Sequence, residues 1–452
     1  MNANLQINTE DEILSRLRQS GYNAYVVGGC VRDELLGLEV NDIDITTNAL
    51  PDEIADVFKD NDLNFVGKQF GVTIVNGIEI ATFRSEKYET MGKPIVRLES
   101  DFFKDASRRD FTINAMAKDT SGKIIDFFNG RDDLKCRIIR AVGNPVDRIN
   151  EDPIRILRGI YLASFLDFDI EIETKIAMMD QGVLLRNLPI QVIGKMFKKV
   201  INRNCLSGFM TWLKKLDLVR FVLPDLEHTL GLQQNPKYHD SDVFEHTVRV
   251  IESIEHQCPS DEVMLLTGLF HDVSKGLEGI RSLNKEGEPS DINHESHGVK
   301  IAERFLKHTP FSKEVTRSVL FLIEFHGLQL QKNSREKSVK KAIRKMAASF
   351  KTKEELTEGV NRLFLFMNSD ADGFAPGFKL EKKEINEILE IKFQEVMAST
   401  IFYRYELPIT GKDVMKYGFK GEEIRIQLDN LVRENVTSIN MIEKRLATQL
   451  KG

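Results

Sequence analysis

The chain has 452 residues, of which 41% are hydrophobic and 29% charged, and its formal net charge is −6. This length has room for about three domains, and the acidic balance excludes a uniformly basic nucleic-acid binder, so any RNA contact must be local. No apolar run reaches the ~20 residues of a membrane span, and the four cysteines form no CxxC pair, so we expect a cytoplasmic protein with reduced thiols and no membrane contact.

A strand, a glycine turn and a helix are the first predicted elements. The apolar run 24–27 predicts the strand, and Gly28 and Gly29 follow it, ahead of Arg32 and Asp33. Glycine lets backbone N–H groups approach a phosphate, and a helix N-terminus favours negative charge there. The pattern predicts a phosphate site at these four residues, with an ordinary glycine turn as the alternative.

Two carboxylates follow at strand spacing. Asp42 and Asp44 are separated by one residue in a β-type sequence that continues to Thr47, which puts both side chains on one face of a strand. Paired carboxylates of this kind can hold the two divalent cations used for in-line nucleotidyl transfer. Glu79, on a later predicted strand, is a candidate third carboxylate, and solvated acids are the alternative for all three.

The organisation of the chain changes near residue 140. Strand signals occupy 64–66, 72–75, 78–83 and 115–118, separated by turns at Gly67, Asn76-Gly77 and Ser121-Gly122. After residue 140, apolar residues recur at helical spacing through most of the chain. The predicted fold class is therefore α+β, with a mixed α/β head that carries chemistry and a long helical remainder.

An arginine-rich segment closes the head. Arg108, Arg109 and Asp110 stand beside an apolar segment that includes Asn114. Guanidinium groups suit triphosphate oxygens, and an acid or amide can read a ribose hydroxyl. The alternative is a surface arginine pair that forms salt bridges.

The segment 151–158 starts with acids followed by a proline, which is a helix start signal. On that helix Asp152 and Arg155 are predicted to share a face, and Arg158 follows them. A carboxylate can accept from the exocyclic amino group of cytosine or adenine, while a guanidinium donates to the adjacent ring nitrogen. Guanine and uracil present the reverse order, so the pair can select C and A without a nucleic-acid template. A capped helix with an i, i+3 ion pair is the alternative.

A second constellation lies in the helical remainder. Its candidate metal ligands are an upstream His246, the adjacent His271 and Asp272, and a downstream Asp370. Imidazoles mixed with carboxylates suit a divalent metal that polarises phosphate and activates water. Asp372 is a near rival of Asp370, and the candidate phosphate or second-metal groups are His294, His297 and His326.

The motifs between residues 24 and 158 resemble those of the polymerase β-like nucleotidyltransferases, in the bacterial family of tRNA CCA-adding enzymes and poly(A) polymerases. The histidine constellation resembles the HD phosphohydrolase domain that some of these enzymes carry, and 407–413 resembles their tail motif. The resemblance implies a polymerase β-like head with a small mixed sheet at 1–140, an all-α neck at 141–225, an HD body at 226–380 and a helical tail at 381–452.

The implied activity is template-independent addition of C and A to the 3′ end of tRNA from CTP and ATP. Asp42 and Asp44 would hold Mg²⁺, and the HD residues would hold a second divalent metal, Ni²⁺, Mn²⁺ or Mg²⁺. The implied nucleotide site comprises Gly28, Gly29, Arg32, Asp33, Arg108, Arg109, Asp110, Asn114, Asp152, Arg155 and Arg158.

The implied partners are the acceptor stem and elbow of tRNA, and no stable protein partner is expected. A CC-adding or A-adding enzyme and a poly(A) polymerase are close alternatives. An HD phosphohydrolase with a nucleotide-sensing head and a tRNA binder with an inactive head are more distant ones.

Three departures from the family pattern concern the terminal A. The segment 84–108, interpreted as a loop, has Gly92-Lys93-Pro94 where the family tends to have Arg-Arg-Pro. The segment 159–163 lacks the usual arginine, and the motif at 192–200 is loosely matched. The family links that loop to the switch from C to A addition.

Local RNA contacts are predicted on two basic segments. They comprise Lys195, Lys198, Lys199, Arg203, Lys214, Lys215 and Arg220, and then Lys332, Arg335, Lys337, Lys340, Lys341, Arg344 and Lys345. A solvated helix face is the alternative for each.

Overall fold

The computed structural model describes residues 10–40, 43–65, 67 and 70–449. Asp42 lies outside the described residues. The chain divides into two compact units, Met1–Pro224 and Asp225–Gly452. The finer division into head, neck, body and tail that the sequence predicts stays a proposal beside these two units.

The first unit contains both strands and helices. In chain order they are α1 (Glu10–Gln19), β1 (Ala24–Val27), α2 (Gly29–Leu36), β2 (Asp44–Thr47), α3 (Pro51–Val57), β3 (Leu63–Asn64), β4 (Val72–Val75), β5 (Ile78–Thr82), β6 (Arg84–Thr90), β7 (Lys93–Leu98), α4 (Phe102–Ser107), β8 (Ala117–Lys118), β9 (Ile124–Ile125), α5 (Gly130–Cys136), β10 (Ile138–Ile139), α6 (Pro145–Glu151), α7 (Ile154–Leu166), β11 (Asp169–Ile170), α8 (Ile172–Asp180), α9 (Ile190–Asn202), α10 (Leu206–Lys215) and α11 (Val219–Val222).

Seven strands form the main sheet of the first unit, in the order β3-β4-β5-β2-β1-β8-β9. The pair β2–β5 is parallel, and the other neighbouring pairs are antiparallel. Valine and isoleucine at alternate positions bury one face, as at Val26, Ile45 and Ile80. The predicted mixed sheet of the head is confirmed.

The segment interpreted as a loop between Arg84 and Arg108 is largely regular structure, so that interpretation is wrong. Strands β6 and β7 pair antiparallel from Arg84↔Leu98 to Thr90↔Lys93, and α4 follows. Gly92 at the tip has φ +69°, a left-handed conformation that glycine adopts readily and that closes the hairpin. The Gly92-Lys93-Pro94 departure therefore lies at the turn of a β-hairpin.

The second unit is mainly helical. Its elements are α12 (Val243–Gln257), α13 (Glu262–Phe270), β12 (Arg281–Leu283), β13 (Pro289–Asp291), α14 (His294–Leu306), α15 (Lys313–Phe325), α16 (Glu336–Ala347), α17 (Lys353–Asp372), α18 (Pro376–Ser399), α19 (Gly411–Met415), α20 (Glu422–Glu434) and α21 (Ile439–Gln449).

Two small sheets lie at the start of, or within, the predicted helical remainder. Strands β10 and β11 pair parallel beside α7, and β12 and β13 form an antiparallel hairpin between α13 and α14. Each strand has only two or three residues, which is too short for a periodic pattern to predict.

The C-terminal helices share a core of their own. Side chains from 401 to 446, including Val414, Leu431 and Ile442, pack in one buried cluster. Among the described residues, no helix is both long and apolar enough to cross a bilayer.

Candidate functional site

A polar pocket of about 370 Å³ lies in the first unit, where the glycine turn, β2, β6 and the first turn of α7 meet. Its lining residues are Gly28, Gly29, Asp44, Arg84, Glu86, Tyr88, Pro94, Arg108, Arg109, Asp110, Asn114, Asp152, Arg155 and Arg158. Most residues of the predicted nucleotide site therefore lie together. Arg32 and Asp33 are not among the lining residues.

The glycine turn brings backbone close to the charged groups of the pocket. Gly28 has φ +84°, and a Cβ there would lie 3.3 Å from Arg109 Nη1 and 3.7 Å from Asp44 Oδ2. A larger residue would be strained by this backbone conformation and would crowd both side chains. Because Gly28 has no side chain, Arg109 and Asp44 can both lie close to the backbone of the turn.

Asp44 and Glu79 are direct neighbours across the parallel pair β2–β5. Partial burial, and next the negative charge of Asp44, raise the pKa of Glu79. A pair of carboxylates that repel each other is a suitable donor set for a divalent cation, because the cation removes the repulsion.

A buried carboxylate that the sequence analysis missed organises the arginines. Asp105 is fully buried. Its Oδ1 accepts from Arg108 Nη2 at 2.8 Å and from the backbone N–H of Arg84 at 3.2 Å, and its Oδ2 accepts from Arg109 Nη2 at 3.1 Å. Burial alone would raise the pKa of Asp105, but Arg109 and Arg108 outweigh it and lower that pKa. The i, i+3 and i, i+4 spacing of Asp105 to the arginines was the signal for it.

Arg32 and Asp33 lie behind the pocket wall. Arg32 Nε donates to Asp33 Oδ1 at 2.8 Å, and Arg32 Nη1 donates to Asn114 Oδ1 at 2.7 Å. Both residues are buried. Arg32 therefore orients Asn114 at the pocket, and the contact of Arg32 and Asp33 with a nucleotide stays a prediction.

Asp152 and Arg155 both line the pocket but do not share a helix face, so that expectation is wrong. Helix α6 ends at Glu151, Asp152 has extended backbone, and α7 begins at Ile154. Asp152 Oδ1 accepts from the backbone N–H of Ile154 at 3.2 Å. The ion pair of Arg155 is with Glu151, at 2.9 Å.

Arg155 is anchored at one side and has donors left at the other. Three of its N–H groups donate to Glu151 Oε2, to the Arg148 carbonyl and to the Arg108 carbonyl. Arginine has five N–H donors, so two remain without a protein acceptor within the described part of the chain. The residue is 5% exposed, and these three hydrogen bonds fix its guanidinium group.

One strand of the hairpin supplies three pocket residues that the sequence analysis did not select. Arg84, Glu86 and Tyr88 alternate along β6 and line the same pocket. Tyr88 Oη donates to Glu86 Oε2 at 2.7 Å, and Arg108 Nη1 donates to Glu86 Oε1 at 3.1 Å. Their period of two was the available signal, hidden because the segment was interpreted as a loop.

A second cluster lies in the second unit, where four imidazoles converge with two carboxylates. Two groups of side chains could each hold a metal ion: His246, His271 and Asp370 in one, and Asp272, His294 and His326 in the other. All but His294 are buried. The four predicted ligands are thus brought together, with two of the three additional histidines.

Hydrogen bonds fix the tautomer of three of these histidines. The Nδ1 atoms of His271, His294 and His326 face backbone carbonyls three residues earlier, at 2.9, 2.7 and 2.7 Å. A carbonyl can only accept, so each Nδ1 carries a proton, and each Nε2 faces into the cluster, where a bound cation would use its lone pair. His294 Nε2 and His326 Nε2 face each other at 3.2 Å, an arrangement that a cation between them would stabilise.

Asp272 lies between the two groups. Its Oδ2 is 3.3 Å from His271 Nε2, and its Oδ1 is 3.2 Å from His294 Nε2. Lys275 Nζ is 2.6 Å from Oδ2. Burial would raise the pKa of Asp272, but His271 and Lys275 outweigh it and hold that pKa well below its usual range.

Two sequence candidates lie outside this cluster. His297 is exposed, and its Nδ1 faces the Asn293 carbonyl at 3.3 Å. Asp372 Oδ2 accepts from Ser253 Oγ, and its Oδ1 pairs with Lys379 and Lys383. Asp370, whose Oδ1 is 3.0 Å from His246 Nε2, is therefore the acid of α17 that belongs to this cluster, and Asp372 is not.

Comparisons with known proteins give a family match in each of the two units. Residues 24–140 match the family model described as the poly A polymerase head domain, and residues 243–362 match the HD domain. A crystal structure of the Bacillus stearothermophilus CCA-adding enzyme in complex with CTP has a TM-score of 0.66 and 23% identity, and the match covers 98% of each chain. The chain has the fold of the CCA-adding enzymes. The family resemblance stated from the sequence is confirmed at the level of this fold and of its two matched domains.

Curated relatives match over a portion of their length. The CCA-adding enzyme of Ligilactobacillus salivarius is 42% identical over 209 residues, which is 44% of this chain and 51% of the relative. That of Levilactobacillus brevis is 43% identical over 228 residues, which is 49% of this chain and 57% of the relative. The chain spans about half the length of the curated relatives that it matches. Both matched domains, and the grouped side chains of the second unit, are consistent with the use of divalent metals.

Proposed function

We propose that the first unit is a template-independent tRNA nucleotidyltransferase that adds C and A to the 3′ end of tRNA from CTP and ATP. The observation that carries the proposal is the convergence of Asp44, Arg109 and Asp152 on one pocket. A solved relative of similar fold holds CTP, and another, at 22% identity and a TM-score of 0.57, is a tRNA nucleotidyltransferase complexed with a primer tRNA and an incoming ATP analogue. The proposal includes a cytoplasmic location.

The arginines of the pocket are suited to the triphosphate. Arg108 and Arg109 are oriented by the buried Asp105, so little side-chain entropy is lost when they meet phosphate oxygens. The Nε of Arg109 is buried without a protein partner among the described residues, and such a donor is costly unless a ligand oxygen or water accepts from it. Asp110 and Asn114 are in reach of the same pocket and can bind ribose hydroxyls.

Carboxylates provide the candidate magnesium site. Asp44 and Asp42 would hold Mg²⁺, with Glu79 as a neighbouring acid, because hard oxygen donors are the ligands that this ion prefers. When bound, the ion supplies charge neutralisation at the reacting phosphate. The chain's own task is to orient the triphosphate and to keep the base in position.

Base selection is assigned to Asp152 and Arg155. The carboxylate of Asp152 accepts from the amino group of C or A, and one of the remaining N–H groups of Arg155 donates to the ring nitrogen. The anchoring of Arg155 to Glu151 and to two carbonyls keeps this donor in place before the nucleotide arrives. Uracil and guanine would set an acceptor against Asp152 and a donor against Arg155.

Single-nucleotide extension tests the proposal. Purified protein with Mg²⁺ is given tRNAs that end before C, before CC and before A, each with one NTP. We expect CMP on the first two, AMP on the third, and no use of UTP or GTP. Incorporation limited to CMP or AMP would indicate a CC-adding or A-adding enzyme, long A runs a poly(A) polymerase, and no incorporation at all would overturn the proposal.

The second unit supports a second function, hydrolysis of a phosphate ester. Six donors in two groups, with Asp272 between them, fit two divalent metals, and the imidazole content favours Ni²⁺ over Mn²⁺ and Mg²⁺. A bound metal pair supplies a polarised phosphate and an activated water. A 2′,3′-cyclic phosphate is the first substrate to test.

Metal content and activity test this second function separately. We expect up to two metals per chain by elemental analysis, and hydrolysis of the cyclic phosphate when Ni²⁺ or Mn²⁺ is added. The double variant His271→Ala, Asp272→Ala should lose metal and hydrolysis and keep nucleotide addition. A wild type that binds no metal and hydrolyses nothing would leave the cluster structural.

A further inference from the structure

A row of cations paired with aromatic rings begins at the pocket of the first unit and runs along α7. Arg158, Tyr161 and Phe165 lie on one stripe of that helix, at i, i+3 and i+7. Seven residues of helix span about 10 Å. The stripe therefore leads from a pocket-lining arginine to a point about 10 Å away along the surface of the unit.

Two parallel contacts connect α7 with α9 and its C-terminal cap. Lys199 Nζ lies 4.7 Å from the centre of the Tyr161 ring, and Arg203 Cζ lies 5.2 Å from the centre of the Phe165 ring. The two rings stack on each other, with centres 5.9 Å apart and planes 6° apart. We call these four residues the cation–aromatic ladder.

The ladder carries positive charge that the described residues do not neutralise locally by ion pairs. Lys199 is exposed and Arg203 partly exposed, and within the described chain neither lies in a salt bridge. Desolvation of its ammonium group by the neighbouring side chains, and next the positive charge of Arg158, lower the pKa of Lys199, with Asp110 acting in the opposite direction. An anionic ligand would relieve the repulsion between these like charges, so this surface favours binding of an anion.

The rings restrict where the cations can go. Cation–π contact holds each charged group over a face of a packed ring, and stacking fixes the two rings relative to each other. The cations are spaced four residues apart, about 6 Å along a helix, and Arg158 precedes them. Such a line of fixed charges suits a polyanion rather than a single phosphate.

An apolar pocket continues the row. It has a volume of about 330 Å³, and its lining includes Phe165, Phe168 and Arg137 together with Leu36 and Leu38. Arg137 Cζ lies 5.7 Å from the centre of the Phe168 ring. Aromatic and apolar walls of this kind accept the face of a nucleobase, whatever its identity.

We infer that the cation–aromatic ladder binds the single-stranded 3′ end of the RNA acceptor, with its backbone phosphates on Arg158, Lys199 and Arg203 and a base at the Phe165–Phe168 pocket. This inference rests on the proposed nucleotidyl transfer, because the strand must end at the pocket where the nucleotide is added. It also gives a role to Lys199, which supplies a cation beside Tyr161.

Salt dependence of RNA binding tests the ladder. The affinity of the full chain for a tRNA that ends in CC is measured at several salt concentrations, for wild type and for Lys199→Gln with Arg203→Gln. Each lost phosphate contact on a single strand reduces the slope of log affinity against log salt by about 0.7. We expect the double variant to reduce the slope by about 1.4 and the affinity at least ~5-fold, with the KM for CTP unchanged.

Matched variants separate this role from a structural one. Lys135→Gln removes the same charge from an exposed lysine on α5 that pairs with Asp132, and it should keep the wild-type slope. Lys199→Arg with Arg203→Lys keeps the charges and should keep the slope too. Loss of slope in Lys135→Gln, an unchanged slope in the double variant, or a raised KM for CTP alone would each overturn the inference.

The same measurements distinguish the inference from the proposed function. If wild type incorporates no nucleotide on any tRNA, the proposed function fails, whatever the slopes are. If wild type incorporates CMP and the double variant binds tRNA with an unchanged slope, the proposed function stands and the ladder fails.

Discussion

The two candidate sites differ in where the negative charge comes from. The pocket of the first unit is rich in arginines, and its Arg158 side chain is 49% exposed. The cluster of the second unit is closed, with His271 0% and Asp272 2% exposed, and its own donors face one another. The first is built to receive an anion that completes the site, whereas the second is organised to hold cations before any substrate arrives.

Because the two sites differ in this way, we expect a substitution in one site to leave the activity of the other unchanged. The largest effect is expected at Asp44 and Asp42. Asp44→Asn should reduce CMP incorporation at least ~10³-fold, because several kcal/mol of charge stabilisation depends on a bound metal. Asp42→Asn should do the same. Metal content and ester hydrolysis of the second unit should stay at wild-type levels.

Asp132→Asn is the control for charge loss. Asp132 is an exposed carboxylate on α5 that pairs with Lys135, and its loss should change incorporation less than about twofold. Incorporation by Asp44→Asn at a wild-type rate would remove the carboxylates from the mechanism.

Asp105 tests whether the arginine pocket depends on a single buried charge. Removing one partner of a buried ion pair typically costs about 3 kcal/mol, so Asp105→Asn should destabilise the protein by about that amount at pH 7 and raise the KM for CTP. The lowered pKa of Asp105 means that its stabilisation is present above the unfolded pKa of about 4 and is lost as pH falls through the folded pKa.

The thermal midpoints of wild type and Asp105→Asn, measured side by side from pH 7 to pH 3, check this sign. The gap between them should narrow as the pH falls. A gap that stays constant or widens would contradict the assigned ionisation of Asp105.

Two neighbouring acids of α17, Asp370 and Asp372, test which carboxylate binds metal in the second unit. Asp370→Asn should weaken metal binding at least ~10-fold, because Asp370 Oδ1 faces His246 and His271. Asp372→Asn should leave it within about twofold, because Asp372 is held by Ser253 and two lysines. Metal titration followed by elemental analysis measures both, and equal losses in the two variants would mean that the assigned carboxylate is wrong.

Local sequence patterns predicted those parts of the fold that depend mainly on residues close together in the sequence. The runs that became β1, β4 and β5 show β-type composition bounded by turn residues, and the histidine cluster was found because His271 and Asp272 are adjacent after an apolar helix. The position of Glu79 beside Asp44, by contrast, is set by the parallel pairing of β2 with β5. No local pattern specifies that pairing.

The misses arose where the local structure differs from the one that the sequence pattern predicts. Arg155 was matched to Asp152 by spacing, yet its charge partner is Glu151 on the preceding helix, because the chain bends between α6 and α7. Glu86 and Tyr88 were overlooked because the composition of a polar hairpin strand resembles that of a loop. Lys275, one turn after Asp272, was overlooked because a lysine near an acid is common on surfaces.

Base selection is the smallest expected effect and the most specific test of the anion-receiving pocket. Removing the acceptor of Asp152 takes away one hydrogen bond to the amino group of C or A and one repulsion toward the carbonyl of uracil, a difference of about 1 kcal/mol. Asp152→Ala should therefore lower the preference for CTP over UTP about five- to tenfold, while the KM for CTP rises less, because the arginines still hold the triphosphate. The preference is the ratio of kcat/KM values on a tRNA that ends before CCA.

Asp147→Ala, which removes an exposed acid from the first turn of α6, is the control and should leave the ratio unchanged. If Asp152→Ala keeps full discrimination while Arg155→Ala loses it, Arg155 alone reads the base; if both keep it, selection lies elsewhere in the pocket, and β6 with Glu86 and Tyr88 is the next place to look.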